Sequence, residues 1–85
     1  MAAPSPNEWS VETAFEVFEY TIEGLTLYQD ARDALIVALV RLPSDGAEDL
    51  IQVRGLLSYV SRQVALWDKL RSITNRILKQ KLQGR

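Results

Sequence analysis

Glu12, Glu16, Glu19 and Glu23 recur at helical spacing along one stretch of the chain, which is how bundle helices present carboxylates to a pair of metal ions. Such centres complete their ligand set with histidine, commonly as Glu-x-x-His, and the 85 residues contain no histidine. The same absence removes the usual general base near neutral pH. Ser58 and Ser61 lie beside Tyr59 and Arg62 in "GLLSYVSRQ", but a serine hydroxyl becomes a nucleophile only next to a base, and none is in view. Cysteine is absent too, which excludes thiolate ligands, a thiol nucleophile and disulfide staples. No glycine pattern of the phosphate-cradling kind occurs. The carboxylates therefore read as an acidic helix surface and the serines as solvent-facing. No catalytic residue, cofactor or metal site is expected, and the chain is not expected to be an enzyme.

Charge offers a second kind of chemistry. The net charge is only −1, but its distribution is uneven. Residues 1–30 hold Glu8, Glu12, Glu16, Glu19, Glu23 and Asp30 and no base, whereas residues 69–85 hold six bases and no acid. The run "KLRSITNRILKQKLQGR" is the kind of helix that neutralises phosphates, with Arg76, Lys79, Lys81 and Arg85 as the nucleic-acid contacts. The competing reading pairs these bases with the acidic segment lying alongside, which cancels the positive field. Pairing is favoured, so nucleic acid is not the expected partner.

Both readings depend on the elements that carry the charges. "SPNE" is a helix start signal: Ser5 can cap, Pro6 suits the first helical position, and Glu8 completes a capping box, with Ser10 as a second possible start. Apolar residues then recur at Val11, Phe15, Phe18, Ile22 and Leu25, and again at Tyr28, Ala31, Leu35, Leu39 and Leu42. Pro43 ends the pattern because it lacks an amide hydrogen and restricts the residue before it. "SDGAED" restarts it, with Asp45 and Glu48 as a second capping box. The second stripe reads Leu50, Val53, Leu57, Val60, Val64, Trp67, Leu70, Ile73 and Ile77, and Gly84 is a natural stop. The fold class expected is all-α, a long antiparallel two-helix hairpin over about 6–42 and 46–83. The alternative is a three-helix bundle with a break near Gly24, a poor helix former followed by no clear restart signal. Residues 1–85 make one helical domain, with an N-terminal arm at 1–5, a turn at 43–45 and a tail at 84–85.

A tight fold-back makes facing residue numbers add to a nearly constant sum. Counting outwards from the turn sets Tyr28 opposite Val60, Ile22 opposite Trp67 and Phe18 opposite Leu70, and it sets Glu8 opposite Lys81, Glu12 opposite Arg76 and Glu19 opposite Lys69. Opposite charges flanking an apolar seam are what e and g positions supply in coiled coils. The seam leaves apolar residues over: Ile36, Val37 and Val40 beside the turn, with Ile51, Leu56 and Leu66 on the second helix. Two helices have no interior to hide these in, so the six are the expected oligomer or partner interface, and two hairpins packing into a four-helix bundle is the simplest arrangement. Trp9, Tyr20, Leu27 and Tyr59 also lie off the seam and mark a possible second contact surface.

A chain this short buries a small core and gains from oligomerisation when disulfides are unavailable. "MAAPSPNEWS" lacks the basic and apolar regions of a signal peptide, and the longest apolar run, "ALIVALV", is far short of the roughly 20 residues of a membrane helix. No membrane association is expected, and the location expected is the cytoplasm, or a particle assembled there. A small all-helical hairpin with an apolar surplus resembles adaptor and assembly subunits, including small structural proteins of phage particles. The expected function is therefore non-enzymatic: a self-associating structural or adaptor protein with a protein partner. The alternatives are a regulator that binds nucleic acid through its basic helix, or a small inhibitor that lays one helix into a groove on a host protein.

Overall fold

The computed structural model describes residues 5–43 and 45–84. A short 3-10 turn at Pro6–Glu8 precedes two long helices, α1 (Val11–Arg41) and α2 (Ala47–Gln83), and the described residues contain no strand. The helices pack against each other, and the molecule measures 61 × 27 × 14 Å. Its thinnest dimension is close to one helix diameter, so the hairpin is a single layer without an interior.

The first helix begins later than the sequence suggests. Ser5 makes no side-chain cap; Glu8 and Trp9 donate to the carbonyls of Ser5 and Pro6, closing the 3-10 turn instead. Trp9 and Ser10 are extended, and Ser10 Oγ accepts from the Thr13 amide at 3.0 Å, so the second start signal caps α1. At the other end Gly46 is the N-cap of α2 with no side-chain cap bond, and Asp45 with Glu48 does not form the expected box. Glu48 and Asp49 still lie in the first turn, where the helix dipole favours acids. Of the turn at 43–45, Ser44 lies outside the described residues. Gly84 closes α2 by donating to the Gln80 carbonyl at 3.0 Å.

The helix runs without interruption through Gly24, which excludes the three-helix alternative. A methyl group on Gly24 would lie 2.5 Å from the Trp67 ring. The glycine is therefore a socket for an indole on the facing helix, and the same ring stacks on Tyr28 with centroids 6.3 Å apart.

The seam differs from the apolar stripe in its outer half. On α1 the buried residues are Ala14 and Thr21, whereas Phe15 and Ile22, one position along, are 50% and 41% exposed. On α2 Val60 is buried as expected, but beyond Trp67 the buried positions are Thr74 and Leu78, while Ile73 and Ile77 are half-buried at the flank. Small side chains let the backbones approach. The threonine hydroxyls are satisfied locally, Thr21 donating to the Phe18 carbonyl at 2.6 Å and Thr74 to that of Leu70 at 2.9 Å, with the two hydroxyls 3.3 Å apart.

The register also differs. Tyr28 stacks on Trp67, two turns beyond Val60, and Thr21 meets Thr74. Helical side chains lean towards their own N-terminus. Across an antiparallel pair, touching side chains therefore come from residues farther along both helices than those whose backbones are level, and counting outwards from the turn misses this lean. Two of the three charge pairs expected across the seam follow suit. Glu8 with Lys81 and Glu19 with Lys69 form no ion pair; among the described residues the ion pairs are Arg71 with Asp68, one turn apart, and the neighbours Arg32 and Asp33.

Candidate interaction surface

No three acidic, histidine or cysteine side chains converge as a metal-binding group among the described residues. Glu16, Glu19 and Glu23 are exposed, as are Ser58, Tyr59 and Ser61. A shallow cleft lies where the 3-10 turn meets the end of α2, lined by Pro6, Asn7, Ile77, Gln80 and Lys81. Of the basic residues singled out as nucleic-acid contacts, Arg76 and Lys79 are exposed, Lys81 is half-buried in that cleft, and Arg85 lies outside the described residues.

What the hairpin chiefly presents is apolar surface. Ile36, Val37, Val40, Ile51, Leu56 and Leu66 are all exposed, Val40 at 80% and Ile51 at 71%. Phe15, Tyr20, Ile22, Leu27, Tyr59 and Leu82 join them.

The seam fixes how these residues divide. Its positions follow alternating steps of three and four, Val11, Ala14, Phe18, Thr21, Leu25, Tyr28 on α1 and Val53, Leu57, Val60, Val64, Trp67 on α2, each at least half-buried. At 100° per residue this leaves two broad faces on the slab. One carries Thr13, Val17, Tyr20, Gly24, Leu27, Ala31, Ala34 and Ala38 of α1, with Gln52, Leu56, Tyr59, Gln63, Leu66, Leu70, Ile73, Ile77 and Gln80 of α2. The contact of Trp67 with Gly24 places the two stripes on the same side. None of these 17 positions is charged; the next step of each stripe towards the turn is Arg41 on α1 and Asp49 on α2. The opposite face holds Glu12, Glu19, Asp33, Arg54, Asp68 and Lys79 among its 19 positions.

Leu56 and Leu66 thus belong to the uncharged face, together with Tyr20, Leu27 and Tyr59. Ile36, Val40 and Ile51 sit near the turn on the charged face, and Val37 is at the outer edge of α1. No helix is long and apolar enough to cross a membrane among the described residues.

Comparison with protein-family models, curated proteins and solved structures finds no match. The surface is therefore read from its own chemistry. The uncharged face was present in the sequence as two stripes with steps of three and four and no charge over residues 13–38 and 52–80. Large apolar residues mark only parts of it, such as Leu56, Leu66, Tyr20, Leu27 and Tyr59, because four of its eight α1 positions are glycine or alanine.

Proposed function

We propose that this protein is a non-enzymatic structural or adaptor protein that works through helix–helix self-association, as a subunit of a larger assembly such as a phage particle. The observation that carries this reading is a layer only 14 Å thick with large apolar side chains exposed on both faces. The accessible surface is 6434 Å². A compact chain of 9.6 kDa exposes about 5,100 Å². On so open a chain the exposed apolar side chains favour association over an isolated life in water.

Two separated apolar regions suit an assembly better than a closed pair. Leu56 and Leu66 on one face and Ile36, Val37, Val40 and Ile51 near the turn supply two contacts, one for a copy of the chain and one for a further neighbour. The proposed location is the cytoplasm, or a particle assembled there.

The test is the solution mass of the intact protein by light scattering behind a sizing column, across a dilution series at two salt concentrations. A dimer or larger species that dissociates on dilution supports the reading. A helical monomer at every concentration sinks it.

A second reading draws on Lys69, Arg76 and Lys79, which are exposed with no ion-pair partner among the described residues. In it the protein is a small regulator whose α2 contacts nucleic-acid phosphates or an acidic groove on a host protein. Retention on DNA or RNA that falls steeply with added salt would favour the nucleic acid, and no retention at low salt removes it.

A further inference from the structure

We propose that the uncharged face is the seat of a second copy of this chain. The two hairpins pack face to face about a two-fold axis parallel to the helices, with both turns at one end and α1 of each copy resting on α2 of the other. This rests on the self-association reading and adds its face, symmetry and register.

Absence of charge selects the face. Burying the opposite face would desolvate six charged side chains in each copy, whereas this face brings only Arg41 and Asp49, both at its turn end. Size is sufficient. A stable interface covers about 800 Å² on each partner, roughly half of a 61 × 27 Å rectangle.

Shape selects the axis. An axis parallel to the helices leaves every residue at its own height, so the offset that joins Thr21 to Thr74 and Tyr28 to Trp67 within the chain also governs contacts between copies. It sets Ala34 against the second copy's Tyr59 and Ala38 against its Leu56, while farther from the turn Leu27 meets Leu66 and Tyr20 meets Ile73. In the half nearer the turn, small residues on α1 thus receive large ones from α2. The other face-to-face two-fold, perpendicular to the helices, lays α1 on α1 and α2 on α2, so large residues meet large and small meet small.

Charge selects the same axis. Glu16, Glu23 and Asp30 run along the outer edge of α1, and Arg76, Lys69 and Arg62 along that of α2. All six are exposed, and none has an ion-pair partner among the described residues. In the proposed dimer the acidic edge of one copy borders the basic edge of the other at matching heights: Glu16 by Arg76, Glu23 by Lys69, Asp30 by Arg62. The perpendicular axis would border acid with acid.

Sedimentation of the full chain over a dilution series tests this with a charge exchange. E23K and K69E each place like charges together twice per dimer and weaken it roughly tenfold. The double variant E23K/K69E recovers most of that loss. A double variant no tighter than the weaker single one overturns the register. Leu66→Glu on the uncharged face shifts the protein to monomer while Ser61→Glu on the opposite face does not, with helicity checked by circular dichroism. A dimer that survives the first and is lost with the second overturns the face and leaves self-association standing; a wild-type monomer overturns both. Should Leu66→Glu lose helicity, a spin label on D45C decides. Two labels well under half the molecule's 61 Å length apart are expected, and a separation near the full length overturns the axis.

Discussion

Replacing Gly24 by alanine sets two effects of opposite sign against each other. Alanine is the better helix former by about 1 kcal/mol. Its methyl group would enter the Trp67 ring at 2.5 Å, and overpacking a tight contact costs about 1–3 kcal/mol. Because moving the ring aside would also break its stacking on Tyr28, the steric term wins. Gly24→Ala should lower the melting temperature followed by circular dichroism. Gly55 lies in α2 with nothing within 4 Å of the position a methyl group would take. Gly55→Ala should therefore show the propensity term alone, a gain of up to about 1 kcal/mol, and raise the melting point by about 4–8 °C for a domain of this size. Two glycines on long helices give shifts of opposite sign because only one of them faces a neighbour.

At the scale of the elements, the start of α1 depends on one hydroxyl. Ser10→Ala removes the acceptor of the Thr13 amide and should destabilise the protein by about 1 kcal/mol, with fraying of the first turn visible as faster amide exchange at residues 11–14. Ser5→Ala removes no cap bond and should change neither stability nor exchange there. Both serines looked like caps in sequence; what separates them is that the chain after Ser5 closes a 3-10 turn and straightens at Trp9. The hairpin itself was legible because Pro43 and the restart after it are local signals, and because apolar periodicity records which side of a helix avoids water. The exact seam was not. Large apolar residues such as Phe15 and Ile22 dominate any periodicity, while close packing prefers small ones, and a threonine that returns its hydroxyl to its own helix behaves as a small apolar residue. The register was hidden for a different reason, since side-chain lean is a property of helices in three dimensions and leaves no mark on composition. The interaction surface was half legible: the apolar surplus could be counted, but its division between two faces follows only from the seam.

For the whole molecule, a single layer of two helices has little stability of its own, and whatever binds the folded form adds to it by mass action. The melting temperature should rise with protein concentration, with the increase lost in the Leu66→Glu variant. A melting point independent of concentration over a hundredfold range would count against self-association. Val40 gives a complementary prediction. At 80% exposure a glutamate there is solvated, so Val40→Glu should keep its helicity and melting point. If the turn region makes the further contact proposed for it, the same variant should lose species larger than the dimer on the sizing column.

The first residues of α1 and the last of α2 lie together at one end of the hairpin, with the turn at the other. Tension applied between those two ends loads the rungs of the seam one after another, Ala14 and Leu78 before Thr21 and Thr74, and Trp67 only after them. Such a pull peels the helices apart at low force. Tension applied between the turn and the opposite end runs along the helix axes and meets every rung at once. The same fold is thus soft to being opened and stiff to being stretched.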